Sequence, residues 1–255
     1  MSVFKTATLI GVCVSAVVAC GYNQAQAQPH KKTRAYYEER EEVVWEVPMK
    51  EKLIALTFDD GPNPVTTPKI LDLLAANDAK STFFVVGKRM DRYPDVVRRE
   101  AKEGHEVANH TYNHLYLNHR ISQQRLEDEL SRTEKQIVSL TGKHSLWFRP
   151  PGGFFNDSVV RIARERGYTM VLWSWHQDTK DWSSPGTRRI VDRVLKNVRN
   201  GDIVLFHDHV EGSMQTVQAL ETILPELRRR GYRMVTVSEL IQHKKSNSLL
   251  GKPHS

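Results

Sequence analysis

From about residue 43 onward, the chain alternates short apolar runs with longer amphipathic stretches. The apolar runs are rich in β-branched and aromatic residues, which is typical of strands. A first edge element is predicted at Val43–Val47. The later runs predict strands at Leu53–Phe58, Thr82–Val86, Glu106–Ala108, Leu146–Phe148, Thr169–Trp175, Ile203–Phe206 and Met234–Val237.

Helices are predicted between these runs, where apolar residues recur with helical spacing. Their expected bounds are Pro68–Asn77, Pro94–Glu103, Ser122–Leu140, Asn156–Gly167, Thr187–Arg199 and Met214–Arg230. Ser122 and Asn156 are N-cap candidates. Repeated strand–helix alternation predicts parallel strands with helices outside, as either an open doubly wound sheet or a closed barrel. In both architectures, functional residues belong at the carboxyl ends of the strands.

The first 27 residues differ from the rest, because Lys5 is their only charge and Ala7–Cys20 is one apolar run. That run is short for a bilayer span but suits an export signal. Two processing routes remain open, since Ala25–Ala27 resembles a cleavage site and Cys20 ends a possible lipobox. We therefore predict a secreted or cell-envelope protein, which the lipobox route would leave lipid-anchored outside the cytoplasmic membrane.

Charge and cysteine content narrow the class of partner. Both cysteines lie in the predicted signal, so a mature chain would have no disulfide and no thiol chemistry. Removing Lys5 lowers the formal net charge from +7 to +6. This modest excess suits an anionic surface such as a cell wall. No arginine–aromatic stripe accompanies it, so nucleic acid is not an expected partner.

The composition, 39% hydrophobic and 26% charged, suits one globular domain, which is expected to be a monomer. Residues 28–50 are charged and poor in turn residues, which indicates a linker. Residues 51–241 are expected to be the catalytic domain, followed by a polar tail at 242–255.

Polar residues follow the predicted strands in five places. Asp59 and Asp60 end the first long strand, where a plain Asp-Gly turn is the alternative interpretation. His110 and His114 are four apart, so one helical turn would place both imidazoles on one face, as in many metal sites. Arg149 precedes two prolines and two glycines, and glycines allow close approach of a ligand.

The last two clusters are Asp178–Trp182 and His207. Each cluster alone is compatible with an ordinary loop or surface, but their occurrence in this order at five strand ends is not. His105 and His119 have no partner at ligand spacing and are interpreted as structural or surface residues. His209 is left without a role.

In this order, the clusters resemble the five motifs of the polysaccharide deacetylase family, the NodB-homology domains of carbohydrate esterase family four. The family patterns are T-F-D-D-G, H-[ST]-x-x-H, R-x-P-x-G, D-x-x-D-W and L-x-H. They stand here as Thr57–Gly61, His110–His114, Arg149–Gly153, Asp178–Trp182 and Leu205–His207. The resemblance covers about Glu51 to Ile241 and implies an irregular (β/α)7–8 barrel. One departure is Gly152, where many members carry an aromatic residue or arginine.

The resemblance also implies a metal-dependent hydrolysis of N-acetyl groups on peptidoglycan or a chitin-like polymer. An O-acetyl xylan esterase and a non-catalytic wall-binding protein are the alternatives. The implied metal is zinc, with cobalt, nickel or iron also compatible with the ligand set. Its implied ligands are Asp60, His110 and His114. The other implied roles are Asp59 as base, Arg149 orienting Asp59, His207 as acid paired with Asp181, Gly152 as oxyanion donor and Trp182 as a sugar-binding wall.

Overall fold

The structure is a computed structural model that describes residues 32–117 and 121–250. The predicted export signal and His119 lie outside these residues. The described residues from Thr33 onward form one compact unit. None of the described helices combines the length and the apolar character that a membrane crossing requires.

The described residues form strands and helices in near-regular alternation. The strands are β1 Val43–Val44, β2 Leu53–Asp59, β3 Thr82–Val85, β4 Glu106–Asn109, β5 Trp147–Phe148, β6 Thr169–Val171, β7 Ile203–His207 and β8 Arg233–Val235. The helices are α1 Arg34–Glu39, α2 Thr66–Ala76, α3 Gly87–Arg92, α4 Pro94–Lys102, α5 Gln123–Thr141, α6 Asp157–Glu165, α7 Thr187–Asn197, α8 Gln215–Arg229 and α9 Val237–Leu250.

All strands pair in parallel, in the order β1-β6-β5-β4-β3-β2-β7, and β8 pairs with the first half of β2. The sheet is curled into a half-barrel with helices outside, which confirms the expected (β/α) barrel class. A seam between the two ends of the sheet is spanned by isolated bridges, Glu46 with Asp202 and Asp178 with Leu205. Irregular chain after β6 therefore takes the place of a regular strand beside β7.

Strand β2 is buried along its whole length, and its alternate side chains reach two different cores. Ile54, Leu56 and Phe58 pack in the cluster that contains the residues of α2 and α8. Leu53 and Ala55 pack in a separate cluster with residues of the neighbouring strands. Thr57 and Asp59 continue the alternation of Leu53 and Ala55, so their side chains lie on the same side of β2, the inner face of the barrel. The strand pattern thus aims Asp59 inward.

Local capping signals behave as the sequence indicates. Ser122 and Asn156 are the N-caps of α5 and α6, and each side chain accepts a backbone N–H of the first turn. Gly142 ends α5 with a left-handed φ of 71°.

Several predicted boundaries are wrong. Residues 33–50 are not a linker, because α1 and β1 lie there and bury Tyr37 and Val43 in the core. The predicted strand Thr169–Trp175 ends at Val171, and α3 was not predicted. The strand expected at Met234–Val237 ends at Val235, after which α9 extends to Leu250 through most of the expected tail. In these segments tertiary packing outweighs charge and local composition.

The close approach of Gly201 to Val47 at the seam can be tested by substitution. Gly201 has φ of 85°, and a Cβ there would lie 1.9 Å from the carbonyl oxygen of Val47. Gly212 has φ of 64° and open space around it, so it is the matched control. Gly212→Ala should cost about 1–2 kcal/mol for left-handed backbone. Gly201→Ala should cost a further ~1–3 kcal/mol for overpacking, measured by urea unfolding. Equal losses would contradict the close approach at Gly201.

Candidate active site

Two adjacent carboxylates both approach His110 because the backbone bends at Asp60. Asp59 ends β2 on the inner face, and the strand pattern alone would turn Asp60 away. Asp60 instead has φ of 75°, a left-handed conformation that costs a non-glycine residue about 1–2 kcal/mol. The bend therefore occurs at Asp60 itself, one residue before the Gly61-Pro62 pair.

Asp59 is paired with a fully buried arginine. Nη1 of Arg149 donates to Asp59 Oδ1 at 2.7 Å and to Thr57 Oγ1 at 2.9 Å. The other guanidinium nitrogens donate to the carbonyl oxygens of Val171 and Leu172 at 3.0 and 2.8 Å. Burial lowers the pKa of Arg149, and Asp59 opposes that change. The guanidinium is thus held rigidly with its charge against Asp59.

His110 and His114 come together, but not on a helix. The chain after β4 is irregular, and Thr111 and His114 have φ of 65° and 56°. These turns bring the two rings to 5.1 Å between centroids. The helical reason for expecting proximity is wrong, although the proximity itself is present.

The two imidazoles converge on Asp60. Its Oδ1 lies 2.9 Å from His114 Nε2 and 3.3 Å from His110 Nε2. Burial of Asp60 acts to raise its pKa, but the histidines outweigh it and hold that pKa well below its usual range. The carboxylate is therefore ionised at neutral pH.

Asp60, His110 and His114 fit a divalent cation. His110 Nδ1 lies 2.7 Å from the carbonyl oxygen of Arg149, which can only accept, so Nδ1 carries the proton. In neutral His110 this leaves the lone pair of Nε2 facing Asp60. Asp60 Oδ1 is buried without a well-aligned hydrogen bond. One ligand atom from each residue lies within 4.8 Å of the others, as a shared ion requires.

His207 lies across β2 from this group, at the end of β7, and is paired with Asp181. Nδ1 of His207 is 2.7 Å from Asp181 Oδ1, and its backbone N–H donates to Asp181 Oδ2 at 2.8 Å. Thr216 Oγ1 also donates to Oδ2. Burial acts to lower the pKa of His207, but the hydrogen bond to Asp181 outweighs it and raises that pKa to about 9. His207 is a cation at neutral pH.

The glycine-rich turn has a steric reason for lacking a side chain. Gly152 has φ of 65°, and a Cβ there would lie 2.7 Å from Tyr116 Cε1 and 2.9 Å from Phe154 Cδ2. Tyr116 and Phe154 form an edge-to-face pair and are both exposed. The absence of a side chain at Gly152, which differs here from many family members, therefore leaves room for the rings of Tyr116 and Phe154. Trp182 is also exposed.

The remaining polar residues of the motifs have local roles. Asp178 accepts the N–H of Lys180 within its own loop. His105 is buried and accepts the N–H of Ser81, in agreement with the structural interpretation. His209 lies 2.8 Å from the side-chain amide of Asn63.

Sequence reasoning missed residues that support the site. Thr57 and Thr216 hold Arg149 and Asp181, and Tyr116 and Phe154 form the exposed aromatic pair. Thr57 could have been found, because it shares the inward parity of Asp59. Asp208 was also missed; burial raises its pKa to about 7, and its Oδ2 occupies the place of a Cβ at Gly61.

Known proteins resemble this chain in both sequence and fold. The polysaccharide deacetylase family model matches residues 46–171. A peptidoglycan-N-acetylglucosamine deacetylase of Bacillus cereus is 52% identical over 202 residues, which span 79% of this chain and 94% of the relative. This chain belongs to the polysaccharide deacetylase family. It is accordingly a metal-dependent hydrolase of N-acetyl groups on polysaccharides.

Two further family members extend the comparison. A chitooligosaccharide deacetylase of Bradyrhizobium sp. is 37% identical, over 73% of this chain and 90% of that relative. The crystal structure of the Bc1960 peptidoglycan N-acetylglucosamine deacetylase, in complex with 4-naphthalen-1-yl-N-oxidanyl-benzamide, superposes with a TM-score of 0.75. Its identity is 34%, over 80% of this chain and 94% of the other.

The Arg149–Asp59 pair yields a stability prediction. Arg149→Met should destabilise the protein by about 3–5 kcal/mol, because it leaves the Asp59 charge buried without a partner. Adding Asp59→Asn removes that charge, so the double variant should be more stable than Arg149→Met alone. The comparison is made by denaturant unfolding of both single variants and the double variant. Additive losses would show that the two side chains are not coupled.

Proposed function

We propose that this chain removes N-acetyl groups from the N-acetylglucosamine residues of peptidoglycan, outside the cytoplasmic membrane. The peptidoglycan deacetylase relatives, the basic net charge and the predicted export signal support this substrate and location. The observation that carries the chemistry is that each of the two adjacent carboxylates faces a different partner. Asp59 pairs with Arg149, while Asp60 faces two histidines.

Asp60, His110 and His114 would hold the metal, and zinc suits an Asp–His–His set. When bound, the ion lowers the pKa of a coordinated water toward ~7 and polarises the acetyl carbonyl. Asp59 lies beside this set, with its Oδ2 3.8 Å from His110 Nε2. It is therefore placed to take the proton of the attacking water, while Arg149 fixes the orientation of its carboxylate.

His207 acts on the opposite side of the reaction. Cleavage of the C–N bond releases acetate and an amine, and an amine is a poor leaving group unless it is protonated. Asp181 keeps His207 cationic and holds its Nδ1, so Nε2 is the nitrogen left to donate the proton. The acid and the base are thus different residues, each with a buried partner of opposite charge.

Substrate contacts come from the loops around the cavity. The backbone N–H of Gly152 would stabilise the developing oxyanion, an interaction that can be worth ~3 kcal/mol. Trp182 and the Tyr116–Phe154 pair are exposed aromatic surfaces of the kind that pack against sugar rings. Because Gly152 carries no side chain, the rings of Tyr116 and Phe154 would make the sugar contact that an aromatic residue at position 152 makes in other family members.

The substrate is tested by acetate release from purified peptidoglycan, N-acetylglucosamine oligomers and acetyl-xylan, before and after chelation. We expect metal-dependent release from the N-acetylated glycans, with peptidoglycan the better substrate. Faster release from acetyl-xylan would instead indicate an O-acetyl esterase. Bound metal with no release from any glycan would indicate a wall-binding protein.

The roles of Asp59 and His114 are separated by metal content. Asp59→Asn should keep its metal and lose about 10²–10⁴-fold in turnover, because only the proton acceptor is removed. His114→Ala should bind one ion fewer and lose turnover. Both are measured by elemental analysis together with acetate release. A fully active Asp59→Asn protein would refute the base assignment, and normal metal in His114→Ala would remove that residue from the ligand set.

A further inference from the structure

A second group of metal-ligating side chains lies at the other end of β7 from His207. Asp202 directly precedes β7, and it meets Glu46 and His176 at the seam of the barrel. One ligand atom from each of these residues lies within 4.8 Å of the others, as in the Asp60 group. We propose that Glu46, His176 and Asp202, together with the side-chain oxygen of Gln177, bind a structural divalent cation.

Asp202 is oriented as a ligating carboxylate. It is 2% exposed, and its Oδ2 accepts the N–H of Arg199 at 2.8 Å and Nε2 of Gln177 at 3.0 Å. His176 Nε2 lies 3.0 Å from both Oδ1 and Oδ2. The backbone and amide donors thus hold the carboxylate with its two oxygens beside the imidazole, and hydrogen bonds of this kind orient carboxylates at metal sites.

Gln177 supplies an independent indication of a ligand. Its side chain is fully buried, and its Oε1 has no hydrogen-bond partner. Rotating the amide would place Oε1 against the Asp202 carboxylate, so the donation from Nε2 fixes the present orientation. A buried oxygen without a partner costs roughly 1–3 kcal/mol. A cation beside Asp202 would accept its lone pair and remove that cost.

Glu46 completes the group and gives access to it. Its Oε1 accepts Nη2 of Arg34 at 2.8 Å, which leaves Oε2 for an ion. Arg34 offsets one of the two carboxylate charges. Glu46 and Arg34 also line a cavity of about 430 Å³, which provides an entry path for an ion. Two carboxylates, an imidazole and an amide oxygen form a mixed O/N set that suits Zn²⁺ or Mn²⁺.

The site joins the two ends of the sheet across the seam. Glu46 follows β1, His176 lies in the irregular chain after β6, and Asp202 directly precedes β7. A cation bound there fastens the seam where the half-barrel lacks a regular strand. Its effect is therefore expected on stability rather than on turnover.

The test counts ions per chain in purified protein titrated with Zn²⁺ and, separately, with Mn²⁺. His176→Gln keeps a donor for Asp202 but removes the imidazole ligand. It should bind about one ion fewer than the native protein and show a smaller metal-dependent rise in melting temperature. The control is His144→Gln, since His144 is exposed and should bind ions as the native protein does.

Unchanged ion counts in His176→Gln in both titrations would overturn the proposal. If that variant fails to fold, Glu46→Gln replaces it, because a glutamine oxygen can still accept from Arg34. The comparison does not depend on the active site. One ion in the native protein and none in His176→Gln would support the seam site and refute the Asp60 site instead.

Discussion

The buried ion pair between Arg149 and Asp59 is the constraint on which the site depends. A guanidinium inside a barrel is tolerable only if a carboxylate and several acceptors surround it. Here the acceptors come from β2 and from the end of β6, and the ring of Phe84 on β3 lies 4.0 Å below the guanidinium carbon. The contacts that satisfy the charge of Arg149 therefore also tie β2 to β6 and fix the orientation of Asp59, the proposed proton acceptor.

A division of charge follows from that pair. Asp59 and Asp60 are adjacent in sequence, and two carboxylates so close repel one another unless cations separate their roles. Arg149 neutralises Asp59 from within the barrel, and the metal ion that we propose between Asp60 and the two histidines would neutralise Asp60. Asp181 holds His207 as a cation on the other side of β2. The proposed base, metal ligands and acid are thus distinct groups.

The sequence predicts the parts of this site that follow from strand periodicity. Asp59 and His207 end strands, and the parity of β2 aims Asp59 inward. The strand–helix alternation likewise predicts the class of the fold, and the motif order predicts its family. Periodicity does not predict the left-handed backbone at Asp60 and His114, because tertiary contacts impose conformations that these residues disfavour on their own.

Long-range contacts account for the other differences. The acceptors of Arg149 lie 22 to 92 residues away along the chain, so no local pattern identifies them. The many charged residues in 33–50 led to the prediction of a linker, but Tyr37 and Val43 are buried and anchor that segment in the core. The seam cluster at Glu46, His176 and Asp202 was missed for the same reason, because its members are far apart in sequence and share no motif.

The pH dependence of kcat/KM for acetate release tests most directly whether buried partners set the charges of the catalytic groups. With the pKa of His207 raised to about 9, the acid stays protonated at lower pH, and kcat/KM should fall only as pH rises through about 9. Asp181→Asn should move that fall toward the ordinary histidine value of about 6.5, while Asp178→Asn should not. A native profile that already falls near 6.5, or one that Asp181→Asn leaves in place, would contradict the account.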